Sequence, residues 1–503
     1  MPPVTESARP LISCLILGVQ STSWSTPLVL FLLGSVWIAY CSRQTDSPKS
    51  FLFSRGDGTV LDFIASHLGM NVSVSGLAIV LPVLVLKMGG VAWIGVLGAY
   101  IFGNLAYVLL LARAPAVRDY FNSRSTTTLH AFLGEAFGPW LMVLASAATI
   151  VSYFGAFGVE LLALLKVLPE SFRLTSSLWI AAGSMLVCVL YTSAGGYRGT
   201  FRSDGLQSAI FVVVMLFLLV YLLVATGGIP YSSVFSVHGF DSSSTMGILL
   251  LWLLGITYQI TAMDLWVRTG ACNPKRDVWT PKLGLILSSA LGAVFLCPIA
   301  VVAWARQRGL AQGDIERLFA RVIEAALPPS AQILSITVLL AVALSTASVA
   351  LITVAQTMFR DLLPGIQALR HVRDRPTAPL ENTSFRHIRL TILGVGVLGV
   401  LIPILAQRVV DAFFVFLAWQ VTLLPLIFIA GRRRRTAMWL SQRGAVVAVG
   451  SGICIAVACL FFSGDVAEAA PLLSLAAVSL LLVLWKLVCL TTAAIKHRGR
   501  NRL

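Results

Sequence analysis

The chain has 503 residues, of which 57% are hydrophobic and only 12% charged, with a formal net charge of +16 and a mean hydropathy of +0.88. That balance excludes an ordinary water-soluble domain and places the chain in a bilayer. The basic excess does not mark a nucleic-acid binder, because basic loops beside membrane spans follow from topology and anionic lipid headgroups.

A helix needs roughly 20 apolar residues to cross about 30 Å of hydrocarbon. Windows of that kind predict thirteen spans, at about 24–41, 61–85, 90–112, 139–167, 176–193, 204–226, 245–267, 282–304, 331–360, 389–407, 409–430, 444–463 and 471–491. The expected fold class is therefore all-α and integral to the membrane. The early apolar run Leu11 to Val19 lacks a basic segment close before it and a clear cleavage site, so no cleavable signal is expected.

Basic residues are retained on the cytoplasmic side. With the N-terminus outside and the C-terminus inside, 27 Lys and Arg fall in inner segments, nine in outer ones and Lys486 within the last span. That is the orientation expected in a cytoplasmic membrane. The inner set includes Arg432 to Arg435, the loop with Arg370, Arg373, Arg375, Arg386 and Arg389, and the tail Lys496, Arg498, Arg500 and Arg502. The outer segment 305–330 interleaves Arg306, Arg308, Arg317 and Arg321 with Asp314, Glu316 and Glu324, which reads as an amphipathic surface helix.

The spans group into an N-terminal segment with the first helix (1–60), a five-helix repeat (61–226), a second five-helix repeat (245–430), and a final basic loop, two helices and basic tail (431–503). Five is odd, so the second set is inverted in the membrane. Inverted repeats with broken first helices are the pattern of many secondary transporters. Both first helices carry unusual polarity: His67, Gly69, Asn71, Ser73, Ser75 and Gly76 in LDFIASHLGMNVSVSGLAIVL, and Gly255, Thr257, Tyr258, Gln259, Thr261 and Asp264 in LLGITYQITAMDLWVRTGA. Small and hydroxyl residues also serve helix packing, but the matching positions favour a central solute site. Its candidate ligands are Asn71, Ser73, Thr261 and Asp264, with Glu160 and Gln420 from other spans.

In the 331–360 span, Ser345 and Thr346 follow Val342 by three and four residues, offsets that share one helix face. Two hydroxyls and the Val342 carbonyl then converge on a hard cation, provided the 61–85 span unwinds to supply more oxygens, since a helical carbonyl already has its partner. The same face continues through Thr353, Gln356 and Thr357, a polar path for a released ion. The competing reading is that such hydroxyls bond back to the preceding turn. The eight cysteines form no CxxC pair, so neither a disulfide framework nor a zinc site is indicated. The six histidines are scattered, there is no long hydrophilic insertion, and neither an enzyme nor a bound cofactor is expected. The pattern specifies no oligomeric state.

LYTSAGGYRGTFRSDGLQ resembles the signature of the sodium:solute symporter family, usually Y-T-x-x-G-G-x-x-x-x-x-x-T-D-x-x-Q. Tyr191, Thr192, Gly195, Gly196, Asp204 and Gln207 match, and Ser203 replaces the usual Thr. The stretches FLFSRGDG, SHLGMNVS, WVRTGA and ALSTASVAL followed by RDL resemble further family motifs, in the expected order over about 40–440. The resemblance implies a LeuT-type core of two inverted five-helix repeats, with one helix before it and two after. It also implies sodium-coupled symport of a small polar organic solute by alternating access, with lipid, solute and Na+ as partners. The family's sodium site maps onto the Gly69, Val72 and Val342 carbonyls and the Ser345 and Thr346 hydroxyls. The family's matching acid, Asp204, lies near the inner ion route, and it either serves the ion or caps the helix start after a Gly195–Gly196 turn. Asp264 has three readings: a solute ligand, a proton carrier, or the partner of Arg268 four residues on. Proton coupling and a transporter-like sensor acting through a separate partner are the rival readings.

Overall fold

A computed structural model describes residues 26–43, 47–53, 58–124, 126–168, 176–225, 242–273, 277–370, 383–406, 408–432 and 440–500. Every regular element among them is helical. The basic residues Arg55, Arg373, Arg375, Arg433 to Arg435 and Arg502 lie outside the described residues.

In chain order the main helices are α1 (Thr26–Cys41), α2 (Val60–Asn71), α3 (Ser75–Met88) and α4 (Ala92–Arg113), and α5 (Pro139–Val167). Then come α6 (Ser176–Ala225), α7 (Ser242–Thr261), α8 (Met263–Ala271), α9 (Trp279–Gln307), α10 (Leu318–Ala326) and α11 (Pro329–Thr357). The last are α12 (Phe385–Gly399), α13 (Val409–Gly431), α14 (Gln442–Cys459) and α15 (Ala470–Arg500).

Among the described residues nine helices are long and apolar enough to cross a membrane, or eleven when each of two bent pairs counts as one span. This number differs from the expected thirteen in two places. The first helix is apolar but short, and the spans expected at 176–193 and 204–226 run together as α6. Gly196, at φ 63 and ψ −159, is the sole break within α6. A side chain there would strike the Phe51 carbonyl, so only glycine accommodates both the dihedral and the contact. The loop expected over 194–203 is helical instead, and Asp204 sits about two turns inside the second arm. It does not cap a helix start.

The breaks expected in the two first helices are present. A capping box opens α2, with Asp62 N–H donating to Thr59 Oγ1 at 3.2 Å and Thr59 N–H to Asp62 Oδ2 at 3.1 Å. The helix stops at Val72, whose backbone is extended, and α3 leaves at 51°. Ala262 is likewise extended (ψ 108), and α8 departs from α7 at 52°.

The core is organised around α11, in which every residue from Ser335 to Thr357 is buried. It packs against α5 and α6, while α4 pairs with α7, and α14 with α15. Outward-facing residues such as Leu30, Trp37, Val213, Val397, Leu405 and Phe461 are exposed. An apolar exterior of this extent is an aggregation liability in water and the required surface in lipid. The chain is a multi-pass membrane protein. In the 305–330 segment α10 buries Leu318, Phe319, Val322 and Ile323, and Lys166 reaches Glu316 at 3.3 Å and Asp314 at 3.5 Å.

Candidate functional site

The end of α2 leaves its last carbonyls without helical donors. Two of them, those of Gly69 and Val72, lie 3.3 Å and 3.4 Å from the Thr346 hydroxyl of α11. Beside this contact Ser345 Oγ donates to Asp204 Oδ1 at 2.9 Å, and Ser66 Oγ lies 3.5 Å from the other carboxylate oxygen. Asp204 is completely buried, and Ser345 and Thr346 nearly so. Gly69 makes this approach possible, because a Cβ there would run into Ser345 Oγ and come within 3.2 Å of Ser208 Oγ. The structure thus brings Gly69, Val72, Ser345, Thr346 and Asp204 together, with Val342 one turn before the hydroxyl pair on α11. Ser66 and Ser208 belong to the same cluster, yet their positions on α2 and α6 gave no sign of it in the sequence.

Toward the other end of α11, Thr353, Gln356 and Thr357 are buried. Thr353 Oγ1, Gln356 Oε1 and Thr357 Oγ1 have no hydrogen-bond partner among the described residues, while Gln356 Nε2 donates to the Leu52 carbonyl at 2.5 Å. Thr353 and Asp204 both line a small void of about 10 Å³ that Asp264 and Arg268 also border. Buried polar atoms left unpaired in this way are uncommon and call for a reason.

A larger cavity of about 240 Å³ opens beside the α2/α3 break. Asn71, Ser73, Glu160 and Gln420 line it, as does Thr346, so the cavity adjoins the oxygen cluster. Glu160 accepts from Val74 N–H at 2.9 Å, from Ser75 N–H at 3.2 Å and from the Ser75 hydroxyl. Asn71 is held by His67, at 3.1 Å from Nδ1, and by Gln259, which donates to its carbonyl. Tyr100, Phe413 and Phe416 add aromatic wall that the sequence reading did not single out, beside Tyr258, which it noted in the 245–267 span.

Thr261 and Asp264 are not among the residues lining this cavity. The Thr261 hydroxyl bonds back to the Thr257 carbonyl at 2.8 Å. Asp264 accepts from the Tyr153 hydroxyl and stands 3.6 Å from Arg268, whose Nη1 donates to the Ser66 carbonyl at 2.6 Å. Of the three readings of Asp264, the ion pair with Arg268 is the one with a geometric counterpart.

No family model matches the chain. It is similar to the high-affinity proline transporter PutP of Bacillus subtilis (strain 168), with 27% identity over 290 residues, or 54% of this chain and 59% of the relative. The chain thus spans about three fifths of the length of that curated relative. Its fold is that of a Na+-coupled sialic acid symporter solved in a substrate-bound outward-open state. The TM-score is 0.61 at 15% identity, over 91% of this chain and 98% of the other. These likenesses agree with the resemblance of the chain's motifs to the sodium:solute symporter family. As the motifs implied, the fold is LeuT-type, and the two bent helix pairs are its broken first helices.

Proposed function

We propose that the chain is a secondary transporter, not an enzyme, coupling inward sodium flow to uptake of a small polar organic solute across the cytoplasmic membrane by alternating access. The observation that carries this reading is the meeting of the Thr346 hydroxyl with the Gly69 and Val72 carbonyls at the α2/α3 break. Oxygen ligands from a broken helix suit a hard cation. Sodium is held there by those carbonyls, the Val342 carbonyl and the Ser345 and Thr346 hydroxyls. Asp204, Thr353, Gln356 and Thr357 mark its way inward. The solute occupies the adjoining cavity, with Asn71, Ser73, Glu160 and Gln420 on its wall. The two five-helix sets, 61–226 and 245–430, are the inverted halves that rock about this site, with the N-terminus outside and the C-terminus inside.

The energetics suffice. A membrane potential supplies roughly 2.3 kcal/mol per charge per 100 mV, and a tenfold sodium gradient adds about 1.4 kcal/mol. At about 150 mV one sodium ion provides roughly 5 kcal/mol, enough for a solute gradient above about 10³.

The test is uptake of radiolabelled solutes into vesicles carrying the full chain, under an imposed sodium gradient, an imposed proton gradient, or neither. Accumulation under the sodium gradient alone is the expected result. Accumulation driven by protons without sodium replaces this reading with proton coupling on the same fold, and absence of transport under any gradient leaves the sensor reading in its place.

A further inference from the structure

The first turn of α3, whose Ser75 and Gly76 line the central cavity, is the kind of half-helix start that attracts negative charge, since its N–H groups carry the positive end of the helix dipole. In this chain that position is already taken. The Glu160 carboxylate, 1% exposed, accepts from Val74 N–H, Ser75 N–H and the Ser75 hydroxyl. The donors that a solute carboxylate would need are therefore consumed by a side chain on α5. Among the described residues lining the cavity, Glu160 is the one Asp, Glu, Lys or Arg, so no basic side chain stands on the wall to receive an acid.

The rest of the wall has the complementary character. Tyr100, Tyr153, Tyr258, Phe413 and Phe416 surround the space, and aromatic faces attract cations, more strongly when desolvated. Gln420, 2% exposed, takes a hydrogen bond on Oε1 from Ser152 at 3.3 Å, while its Nε2 has no partner among the described residues. It offers a donor to an uncharged oxygen.

We propose that the central cavity takes an organic cation, an amine or quaternary ammonium compound without a carboxylate, with its positive group facing Glu160 and a hydroxyl or carbonyl oxygen facing Gln420. This rests on the reading of the chain as a sodium-coupled carrier and adds the charge class of its solute. Glu160 acts as a built-in counterion: it neutralises the helix start and leaves the cavity a net negative site.

The experiment measures sodium-dependent thermal stabilisation of the purified full chain in detergent by two sets of probes. Choline, pyrrolidine and phenethylamine are the cations; cyclopentanecarboxylate, phenylpropionate and proline carry a carboxylate. Stabilisation by at least one cation and by none of the carboxylates is expected. Glu160→Gln keeps an acceptor for the α3 start but loses the charge, and should weaken the binding cation at least tenfold. Glu160→Ala bares the Val74 and Ser75 N–H groups, and should turn the preference toward proline, a reversal that a merely structural role does not produce. Stabilisation by sodium alone reports that each variant is folded. The inference is overturned if no cation stabilises the chain, if a carboxylate probe binds as tightly as the best cation, or if Glu160→Gln leaves cation binding within twofold of the parent. Cation binding that is intact but indifferent to sodium overturns the symport reading instead.

Discussion

Ser345 and Asp204 are 141 residues apart in sequence, yet the serine hydroxyl donates to the carboxylate at 2.9 Å in a fully buried contact. The bond ties α11 to α6 at the point where Thr346 faces the α2 carbonyls, so the acid borders the oxygen cluster directly. A buried polar group that loses its partner costs about 1–3 kcal/mol, which corresponds to roughly a 5- to 150-fold change in an equilibrium. Ser345→Ala combined with Thr346→Ala should therefore raise the sodium concentration for half-maximal uptake at least tenfold, with folded yield near that of the parent. Sodium titration of uptake reads this directly, and an unchanged midpoint would remove the ion from α11.

Asp264 and Arg268 make a second coupled pair, 3.6 Å apart with both side chains almost wholly buried. Removing one member of a buried ion pair strands the other, at a cost of about 3–5 kcal/mol. Asp264→Asn should accordingly lower the folded yield, and Arg268→Gln in the same chain should restore part of it. Since Asp264 does not line the central cavity proposed for the solute, solute affinity of the protein that does fold should stay within about threefold. Size-exclusion profiles with solute binding on the same fractions check both halves. Normal yield with a tenfold loss of affinity would put the carboxylate on the solute after all.

The breaks at Val72 and Ala262 were legible because polar and small residues interrupt apolar periodicity at the same place in both halves. Ser345 and Thr346 were legible as a pair because helix geometry puts them on one face. What lay opposite them was not. Helical periodicity gives a face but not the partner across it, so the Ser66 and Ser208 contacts, the hold of His67 and Gln259 on Asn71, and the capture of the α3 start by Glu160 appear only once the helices are packed. The α6 stretch failed differently. Gly195 and Gly196 read as a turn between two spans, but one glycine at positive φ redirects the chain without unwinding its neighbours, which moved Asp204 from a helix start into the interior.

The α4/α7 contact depends on missing side chains. A Cβ on Gly103 would sit 2.7 Å from the Gly255 carbonyl oxygen, and one on Gly255 would overlap the backbone of Ala99. Backbone atoms in facing helices cannot step aside singly, and membrane helices use such small residues to approach closely. Gly255→Ala should lower the melting temperature in detergent by several degrees, whereas Gly394→Ala, where a Cβ meets nothing within 4 Å, should be neutral or gain up to about 1 kcal/mol from helix propensity. Equal melting temperatures for the two variants would mean that α4 and α7 are not in tight contact.

A buried chain of polar groups fastens the segment between α4 and α5 to the helical turn that follows α11. His130 Nδ1 lies 2.9 Å from Asp361 Oδ2, its Nε2 lies 2.8 Å from Thr149 Oγ1, and the Thr128 hydroxyl donates to the other Asp361 oxygen at 2.8 Å. His130 and Asp361 are both inaccessible to solvent, so neither can turn to water when its partner is removed. An unmet buried group costs about 1–3 kcal/mol, and more when it is charged. His130→Ala takes one of two side-chain partners from the Asp361 carboxylate, leaving that of Thr128, and opens a void, so it should cost more than the loss of a neutral hydroxyl. Thr149→Val withdraws only a neutral hydroxyl from the ring and should cost about 1 kcal/mol. The expected order of melting temperatures is the parent highest, then Thr149→Val, then His130→Ala. In the double variant His130→Ala with Asp361→Asn, some of the loss should return, because the uncompensated charge has gone. If that double variant melts below His130→Ala by the full cost of a second independent deletion, the two side chains do not act as a pair and the fastening runs through Thr128 alone.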